Sequence, residues 1–281
     1  MKITALVVTY NRLDFLKKNL SALSGQTRMP DEIIVVNNAS SDGTCRFLEE
    51  FSKDKNFLKV INLHENLGGS GGFSVGLKEA IKDGADWVWM MDDDALPYPD
   101  ALENLAKEMQ IANARTGVLL SKLTDREDAE SSSMVMPALY GTFVGFAVRR
   151  EVVLKVGYPD ASFFIYADDY DYSVRIRKAG FNILRVNSSL IFHKDWAHQS
   201  RIFKFPFVKP HIPSWKTYYI VRNTLNATRH IKLFHLATKI YFFFDRFIWS
   251  YVNPDVKRYV FKGFSDGVKG IKGKVVSPDN S

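Results

Sequence analysis

Residues 87–100 of this 281-residue chain read WVWMMDDDALPYPD. Five apolar residues run directly into three consecutive carboxylates, Asp92, Asp93 and Asp94, and two prolines then interrupt the chain. No basic residue lies within several positions to neutralise these like charges. A continuous apolar run predicts a strand that is buried on both faces of a parallel sheet. The carboxylates at its end are therefore either a solvated turn that caps the next helix or a site for a cation.

The residues before this stretch alternate between strand-like and helix-like patterns. The pattern predicts strands over residues 3–9, 32–36, 58–63 and 87–91. Between them it predicts helices over residues 13–23, 41–53 and 72–84. Strands separated by helices of this length are typical of βαβ units, whose right-handed crossovers build a parallel sheet. We therefore expect an α/β fold in which four loops share one edge of the sheet, at residues 9–12, 37–42, 64–72 and 92–94.

The pattern after residue 98 is more mixed. Helices are predicted over residues 99–114, 151–156 and 171–178, strands over 141–148, 183–186 and 190–192, and a loop over 125–133. From residue 205 the chain becomes a short linker followed by basic, aromatic, helical sequence. This change divides the chain into a main domain, residues 1–204, and a C-terminal helical region, residues 205–281.

The composition limits the class of protein and its partners. A hydrophobic content of 46% with 25% charged residues is ordinary for a folded protein, and a single cysteine, Cys45, excludes an internal disulfide framework. The net charge of +7 is uneven, because residues 193–281 hold 16 Lys and Arg against 5 Asp and Glu. Such asymmetry indicates an anionic partner, either nucleic acid or a membrane surface. We disfavour nucleic acid, because the acidic clusters would repel its phosphates.

Two acidic clusters and one histidine are the strongest candidates for chemistry. Asp92 and Asp94 can share a hard divalent cation whose other ligands are phosphate oxygens. Asp168 and Asp169 stand at a predicted helix start, where they either complement the helix dipole or supply a general base. His193 follows a predicted strand and is either structural or an imidazole ligand of the same cation.

A glycine-rich segment, NLGGSGG at residues 66–72, is a weaker candidate. Its backbone amides can approach phosphate closely at the start of a helix, or the segment can simply be a flexible turn. No GK[ST] follows it, so it is not a Walker motif.

Six motifs occur in one order: VVTYNR, VVNNASSDGT, ENLGGSGGFSVGL, MMDDDALPYPDAL, YADDYDYSVRIRKAGF and YYIVRN. Together they resemble the inverting glycosyltransferases of family 2, which have the GT-A fold. The resemblance implies that the following residues line the nucleotide pocket: Thr9, Tyr10, Asn11, Arg12, Asn38, Asn66 and Gly69. It implies that Asp92 and Asp94 hold the diphosphate through Mn²⁺ or Mg²⁺. Asp93 points the other way by strand alternation, so we expect it to touch the sugar or ribose. Asp169, next to Asp168, would be the catalytic base.

Two positions depart from the family pattern. Asn37 stands where many relatives have Asp, which alters a nucleotide contact. Asp168 stands where Glu is usual, which keeps the charge and shortens the reach.

Within the family, the chain is most similar to bacterial galactofuranosyltransferases, in which a His after the last strand completes the metal shell; here that is His193. This implies transfer of galactofuranose from UDP-galactofuranose to a saccharide or polyprenyl-linked acceptor in surface polysaccharide synthesis. A rhamnosyltransferase that uses dTDP-rhamnose is the alternative. From other classes, a non-catalytic nucleotide-sugar-binding subunit and a nucleotidyltransferase remain as hypotheses; VVTYNRLDF does not fit the latter.

The basic aromatic region, residues 214–264, has two compatible interpretations. Its first half is expected to pack on the catalytic core, and its second half to contact an anionic membrane surface. The start of the chain does not read as a signal peptide, and no window reaches about 18 uninterrupted apolar residues. We therefore expect a cytoplasmic enzyme, peripheral on the inner face of the plasma membrane, with homo-oligomerisation left open.

Overall fold

The computed structural model describes residues 1–126, 129–194, 213–229, 235–244 and 254–276. The strands are β1 Ile3–Thr9, β2 Glu32–Asn37, β3 Leu58–Asn62, β4 Trp87–Asp92, β5 Leu96–Pro97, β6 Thr116–Thr124, β7 Val135–Ala138, β8 Phe146–Arg149 and β9 Asn182–Phe192. They form one nine-stranded sheet in the order β3-β2-β1-β4-β8-β6-β9-β5, with β7 paired to β9.

Helices lie on both faces of this sheet. They are α1 Leu13–Ser24, α2 Thr44–Ser52, α3 Gly68–Lys82, α4 Ala101–Ile111, α5 Arg150–Val156, α6 Asp168–Lys178, α7 Ser214–Thr228, α8 at residues 235–244, and α9 Pro254–Lys269. A short 3₁₀ helix, Ala161–Phe163, precedes α6. Two clusters of buried apolar side chains, one on each side of the sheet, form the core.

The first four strands are parallel, as the sequence predicts. β1 lies between β2 and β4, with Thr9 opposite Asn37 and Val8 opposite Asp92. The apolar residues of β4 are buried, and the strand ends at Asp92. This register brings the loops after β1, β2 and β4 to the same edge, where the sequence analysis expects the site.

The other half of the sheet reverses direction. β8 runs antiparallel to β4 and to β6, whereas β6 and β9 are parallel. The pairing of β6 with β9 shifts register between Val186 and Leu190. The two short strands expected there are therefore one irregular strand, which ends immediately before His193.

Several expectations for this half are wrong. The strand expected over residues 141–148 begins only at Phe146, because the chain turns through Gly145 at a φ of 82°. β6, β7 and the two-residue β5 were not expected at all. β6 mixes apolar residues with Ser121 and Lys122, and this pattern has no clear period of two.

The glycine-rich segment belongs to helix α3, which begins at Gly68 rather than at residue 72. Gly68 has a φ of 72°, and an added Cβ would lie 2.0 Å from the carbonyl oxygen of Phe164. Farther along the helix, a Cβ at Gly72 would meet Val8 at 2.6 Å. These glycines allow α3 to approach β1 and the turn before α6 closely, so close packing explains their presence without a phosphate.

The C-terminal helices pack against one another and against the turn before α6. Tyr218 and Tyr219 of α7 are fully buried, as expected for the first half of the basic aromatic region. The expected boundary between residues 204 and 205 lies outside the described residues. In the part of the chain that is described, no helix is both long and apolar enough to span a bilayer.

Gly68→Ala should lower the free energy of unfolding by at least about 2 kcal/mol, because overpacking and left-handed strain each cost on the order of 1–2 kcal/mol. Gly69→Ala is the matched control, since nothing lies within 4 Å of its added Cβ. That variant should stay within about 1 kcal/mol of wild type, on the stabilising side. Urea unfolding followed by tryptophan fluorescence measures both, and equal losses would contradict the packing argument.

Candidate active site

Two of the three carboxylates at the end of β4, Asp93 and Asp94, contact basic side chains that are distant in sequence. The guanidinium of Arg12 lies 2.5 Å from Asp94 Oδ2 and 3.5 Å from Asp93 Oδ1. His193 Nε2 lies 3.3 Å from Asp94 Oδ1. Arg12 follows β1, and His193 follows β9, where its backbone amide donates to the carbonyl of Thr124. The sheet topology therefore brings two basic side chains to the carboxylates.

The surroundings give the three carboxyl groups different acidities. Burial raises the pKa of Asp92 to about 8, and the charges of Asp94 and Asp93 add to the rise. Burial also raises the pKa of Asp93 to about 6, although Thr9 and Arg12 oppose it. At Asp94 the effect of burial is outweighed by His193 and Arg12, so the pKa falls to about 2. Asp94 is therefore ionised throughout the neutral range.

Asp93 points away from the open edge. It is 3% exposed, and its Oδ2 accepts a 2.7 Å hydrogen bond from the hydroxyl of Thr9, which is 1% exposed. Both residues are expected nucleotide or sugar contacts, yet here their polar atoms satisfy one another. This pair fixes the end of β1 against the turn after β4.

The residues around Asp94 fit a divalent cation in their ligand chemistry. Asp94 Oδ1 is buried, and the imidazole of His193 faces it at 3.3 Å. Carboxylate oxygens and imidazole nitrogen are suitable ligands for Mn²⁺, and carboxylates for Mg²⁺. No group of three or more His, Cys, Asp or Glu side chains is preassembled as a metal site among the described residues. Arg12 instead holds the second oxygen of Asp94.

The loop after β1 presents the side chains that a ligand can reach. Tyr10 is 42% exposed, and the Arg12 side chain is about half exposed. Asn11 adopts a left-handed φ of 53°, and its Oδ1 accepts a 2.7 Å hydrogen bond from the amide of Ser41. Asn11 therefore joins the loops after β1 and β2, and Tyr10 and Arg12 stand at their outer surface.

The asparagines expected in the nucleotide pocket stabilise the start of α3. Asn38 is buried; its amide donates to the carbonyl of Gly68, and its Oδ1 accepts from the amide of Leu67. Asn66 Oδ1 accepts from the amide of Gly68. Gly69 lies in the first turn of α3 with open space at its Cα. Of these three positions, only Asn38 is buried; Asn66 and Gly69 are partly exposed.

Asn37, the first departure from the family pattern, is also used internally. Its amide donates a 2.8 Å hydrogen bond to Asn62, and its Oδ1 accepts from the amide of Ser40. An aspartate could not donate the first of these bonds at neutral pH. Asn37 therefore links the ends of β2 and β3.

The second acidic cluster opens α6. Asp168 is buried and Asp169 is partly buried. Burial raises the pKa of Asp169 to about 7, and the adjacent charge of Asp168 adds to the rise. Burial also raises the pKa of Asp168 to about 6. A carboxylate with a pKa near neutrality is suited to accept a proton from a hydroxyl group.

Two residues near Arg12 were not singled out from the sequence. Burial raises the pKa of Tyr166 to about 12, and the charge of Arg12 opposes the rise. Burial lowers the pKa of Lys216, and the charge of Arg12 lowers it further. Arg12 therefore lies within electrostatic reach of the turn before α6 and of the start of α7. Only the motif YYIVRN, which follows Lys216, hinted that α7 belongs near the site.

The chain is similar in sequence to known glycosyltransferases. The chain is 30% identical over 198 residues to galactofuranosyltransferase GlfT1 of Mycobacterium tuberculosis, a match that covers 63% of this chain and 64% of GlfT1. The match thus falls just short of two thirds of that relative's length.

Solved structures share the fold. S. aureus TarS 1–349, solved with UDP-GlcNAc, superposes with a TM-score of 0.62 at 18% identity over 96% of this chain and 82% of that one. GalNAc-T7, solved with UDP, GalNAc and Mn²⁺, superposes with a TM-score of 0.64 at 13% identity over 96% of this chain and 56% of that one. Both are GT-A folds, which confirms the fold class expected from the sequence.

The family model described as "Glycosyl transferase family 2" matches residues 4–155, which are more than half of the chain. This region contains β1 to β4, the carboxylates after β4 and the glycine-rich start of α3. The chain therefore belongs to glycosyltransferase family 2.

Proposed function

We propose that the protein is an inverting, metal-dependent galactofuranosyltransferase that takes its sugar from UDP-galactofuranose. The observation that carries this proposal is the different setting of two carboxylates: Asp94 lies against Arg12 and His193, whereas Asp169 lies in the first turn of α6, where burial raises its pKa to about 7. One cluster suits a cation and a diphosphate, and the other suits proton abstraction. The 30% identity to a mycobacterial galactofuranosyltransferase supports the choice of sugar.

The donor would bind across the edge formed by the loops after β1 and β4. Asp92, Asp94 and His193 would hold Mn²⁺ or Mg²⁺, which stabilises the negative charge that grows on the departing diphosphate. Arg12 is partly exposed beside Asp94 and would turn towards the diphosphate once the cation neutralises that carboxylate. Tyr10, which is exposed, and the partly exposed first turn of α3 at Gly69 would contact the nucleotide.

Transfer would be a single displacement. The acceptor hydroxyl oxygen bonds to the anomeric carbon while the bond from that carbon to the diphosphate oxygen breaks, and the bonding electrons leave with UDP. The proton of the hydroxyl passes to Asp169, with Asp168 beside it. Because one attack from the opposite face completes the reaction, the anomeric configuration inverts and no covalent intermediate is needed.

The acceptor is proposed to be a saccharide or a polyprenyl-linked saccharide at an anionic membrane surface, on the inner face of the plasma membrane. Four large apolar side chains of α8 are more than half exposed at helical spacing: Leu236, Ile240, Phe243 and Phe244. Exposed cations lie nearby in sequence on α9, at Lys257, Arg258, Lys262 and Lys269. Exposed apolar side chains and exposed cations in one region of the chain suit the headgroup region of an anionic bilayer.

The division of the chain follows from these roles. Residues 1–204 would form the catalytic domain, and residues 205–281 a C-terminal region whose first helix packs on that domain. The outer face of the later helices would contact lipid.

Incubation with UDP-galactofuranose and Mn²⁺ is expected to give turnover that EDTA abolishes, whereas dTDP-rhamnose should give none.

Asp94→Asn should weaken Mn²⁺-dependent UDP binding by about 10-fold or more, because a metal ligand is lost. Isothermal titration calorimetry with and without Mn²⁺ measures this loss. Asp54→Asn, which changes an exposed carboxylate just after the end of α2, is the control. Turnover with dTDP-rhamnose alone would make the enzyme a rhamnosyltransferase, and unchanged UDP affinity in Asp94→Asn would exclude the metal assignment.

Asp169→Asn is expected to keep UDP affinity and to lose about 10²-fold or more in kcat, the usual contribution of a general base. In wild type, kcat should rise with pH through about 7, because Asp169 must be ionised to accept a proton. Asp168→Asn removes a neighbouring negative charge, so the pKa of Asp169 and the acid limb of the profile should move to lower pH. A pH–rate series measures the shift; a limb that stays in place in Asp168→Asn would contradict the coupling of the two groups.

The double variant Phe243→Ser/Phe244→Ser should reduce binding to anionic phosphatidylglycerol vesicles in a flotation assay by about 10-fold. The reason is that two apolar side chains that would be buried in the bilayer are lost. High salt should also release the wild-type protein, because the cations contribute about 1 kcal/mol each near such a surface. Leu154→Ser removes an exposed apolar side chain of α5 and should bind like wild type. Equal binding of all three proteins would argue against this surface.

A further inference from the structure

The turn that leads into α6 has an unfavourable backbone conformation. Phe164, Tyr166 and Ala167 have φ values of 68°, 65° and 63°. Residues with a Cβ seldom adopt left-handed conformations, and three within four positions will not persist without external support. The turn ends at Asp168, the first residue of α6. Whatever stabilises the turn therefore sets the position of the two carboxylates.

Asn223 of α7 supplies most of that support. Its side-chain amide lies within hydrogen-bond distance of three backbone carbonyls of the turn, those of Phe163 at 2.9 Å, Ile165 at 2.5 Å and Tyr166 at 3.0 Å. Arg222 donates a further bond of 2.9 Å to the carbonyl of Phe163. Two adjacent residues of one helix thus bind three carbonyls of one turn.

Arg222 also fixes the orientation of Asn223. Its Nε donates a 2.8 Å hydrogen bond to Asn223 Oδ1, which leaves the amide of Asn223 to face the turn. Arg222 is fully buried, its guanidinium lies 5.2 Å and 4.8 Å from the ring centroids of Tyr218 and Tyr219, and it donates to the carbonyl of Gly273. The guanidinium is therefore held by aromatic faces and carbonyl oxygens.

The opposite side of the turn rests on α3. The amide of Ser70 donates a 3.1 Å hydrogen bond to the carbonyl of Phe164, and Gly68 leaves no room for a side chain there. The turn is thus held between the glycine-rich start of α3 and the Arg222–Asn223 pair of α7.

We propose that Arg222 and Asn223 are positioning residues for transfer: they fix the turn at residues 163–167 so that Asp169 meets the acceptor hydroxyl. This inference rests on the proposed role of Asp169 as the base. It gives α7 a catalytic purpose in addition to packing, since the C-terminal region sets the geometry of a carboxylate in the catalytic domain. Misplacement of a reacting group by about 1 Å can cost on the order of 10²-fold in rate.

The chain offers a matched control in the same helix. Asn226 is also buried, one turn farther along α7, and its amide donates to the carbonyl of Ile271 rather than to the turn. Asn223→Ala and Asn226→Ala therefore remove the same group from similar surroundings, and only the first touches the turn.

The test compares these two variants by hydrogen exchange of the full chain, by UDP affinity with Mn²⁺, and by kcat with UDP-galactofuranose and a synthetic octyl saccharide acceptor. Asn223→Ala should speed exchange at the amides of Ser70 and residues 163–171 and lower kcat about 10- to 100-fold, with UDP affinity within about twofold of wild type. Asn226→Ala should keep the wild-type kcat and the wild-type rate of hydrogen exchange in the turn. If the two variants match in turn exchange and in kcat, the positioning role is wrong.

Two further variants complete the test. Asn223→Ser keeps one hydrogen-bond donor. If Asn223→Ala fails to fold, Asn223→Ser is compared with Asn226→Ser on the same criteria. Asp169→Asn separates this proposal from the proposed function. If Asp169→Asn has a normal kcat, the base assignment is wrong, and with it the catalytic purpose of the Arg222–Asn223 pair. If Asp169→Asn loses kcat but the Asn223 and Asn226 variants have the same kcat and turn exchange, only the positioning role is wrong.

Discussion

Three carboxylates at the end of a buried strand impose the constraint on which the site depends. A desolvated cluster of like charges is unfavourable unless protons, basic side chains or a cation compensate it. In this fold β1 contributes Arg12 and β9 contributes His193, and both reach Asp94. The strand order therefore also sets the charge balance of the site, because it places the end of β9, with His193, beside the turn that follows β4. A cation and a diphosphate would complete the same charge balance.

The second constraint is the close approach of α3, the turn before α6, and α7. Glycine at position 68 lets the backbones of α3 and the turn meet, and Asn223 binds the turn from the other side. Several side chains that a motif comparison assigns to the nucleotide, such as Asn38, have their polar atoms engaged in holding this assembly. Motif residues in such a site thus act on a ligand in two ways: some touch it, and others hold the backbone that does.

The sequence predicts the parallel half of the fold well, for a physical reason. Strands buried on both faces are continuous apolar runs, so β1, β2 and β4 were found within a residue or two of their observed ends. β6 and β7 were missed, because their mixed polarity has no clear period. The negative charge of Asp94 is compensated by Arg12, which lies 82 positions away, so this pairing could not be predicted from the local sequence. Nor could the strained turn, since nothing in Phe164–Ala167 signals positive φ in the way that glycine does.

The two acidic clusters demonstrate how one side-chain type is given two tasks by its surroundings. Asp94 lies against an arginine and a histidine, which stabilise its ionised form despite burial. Asp169 has no arginine or histidine partner within the part of the chain that the structure describes; burial and the neighbouring Asp168 stabilise its neutral form and bring its pKa to about 7. In the proposed mechanism, the group that would bind a cation is thereby kept ionised, and the group that would take up a proton is kept close to its titration point. Exchange of these environments would abolish both roles, because a base with a pKa near 2 has little affinity for a hydroxyl proton.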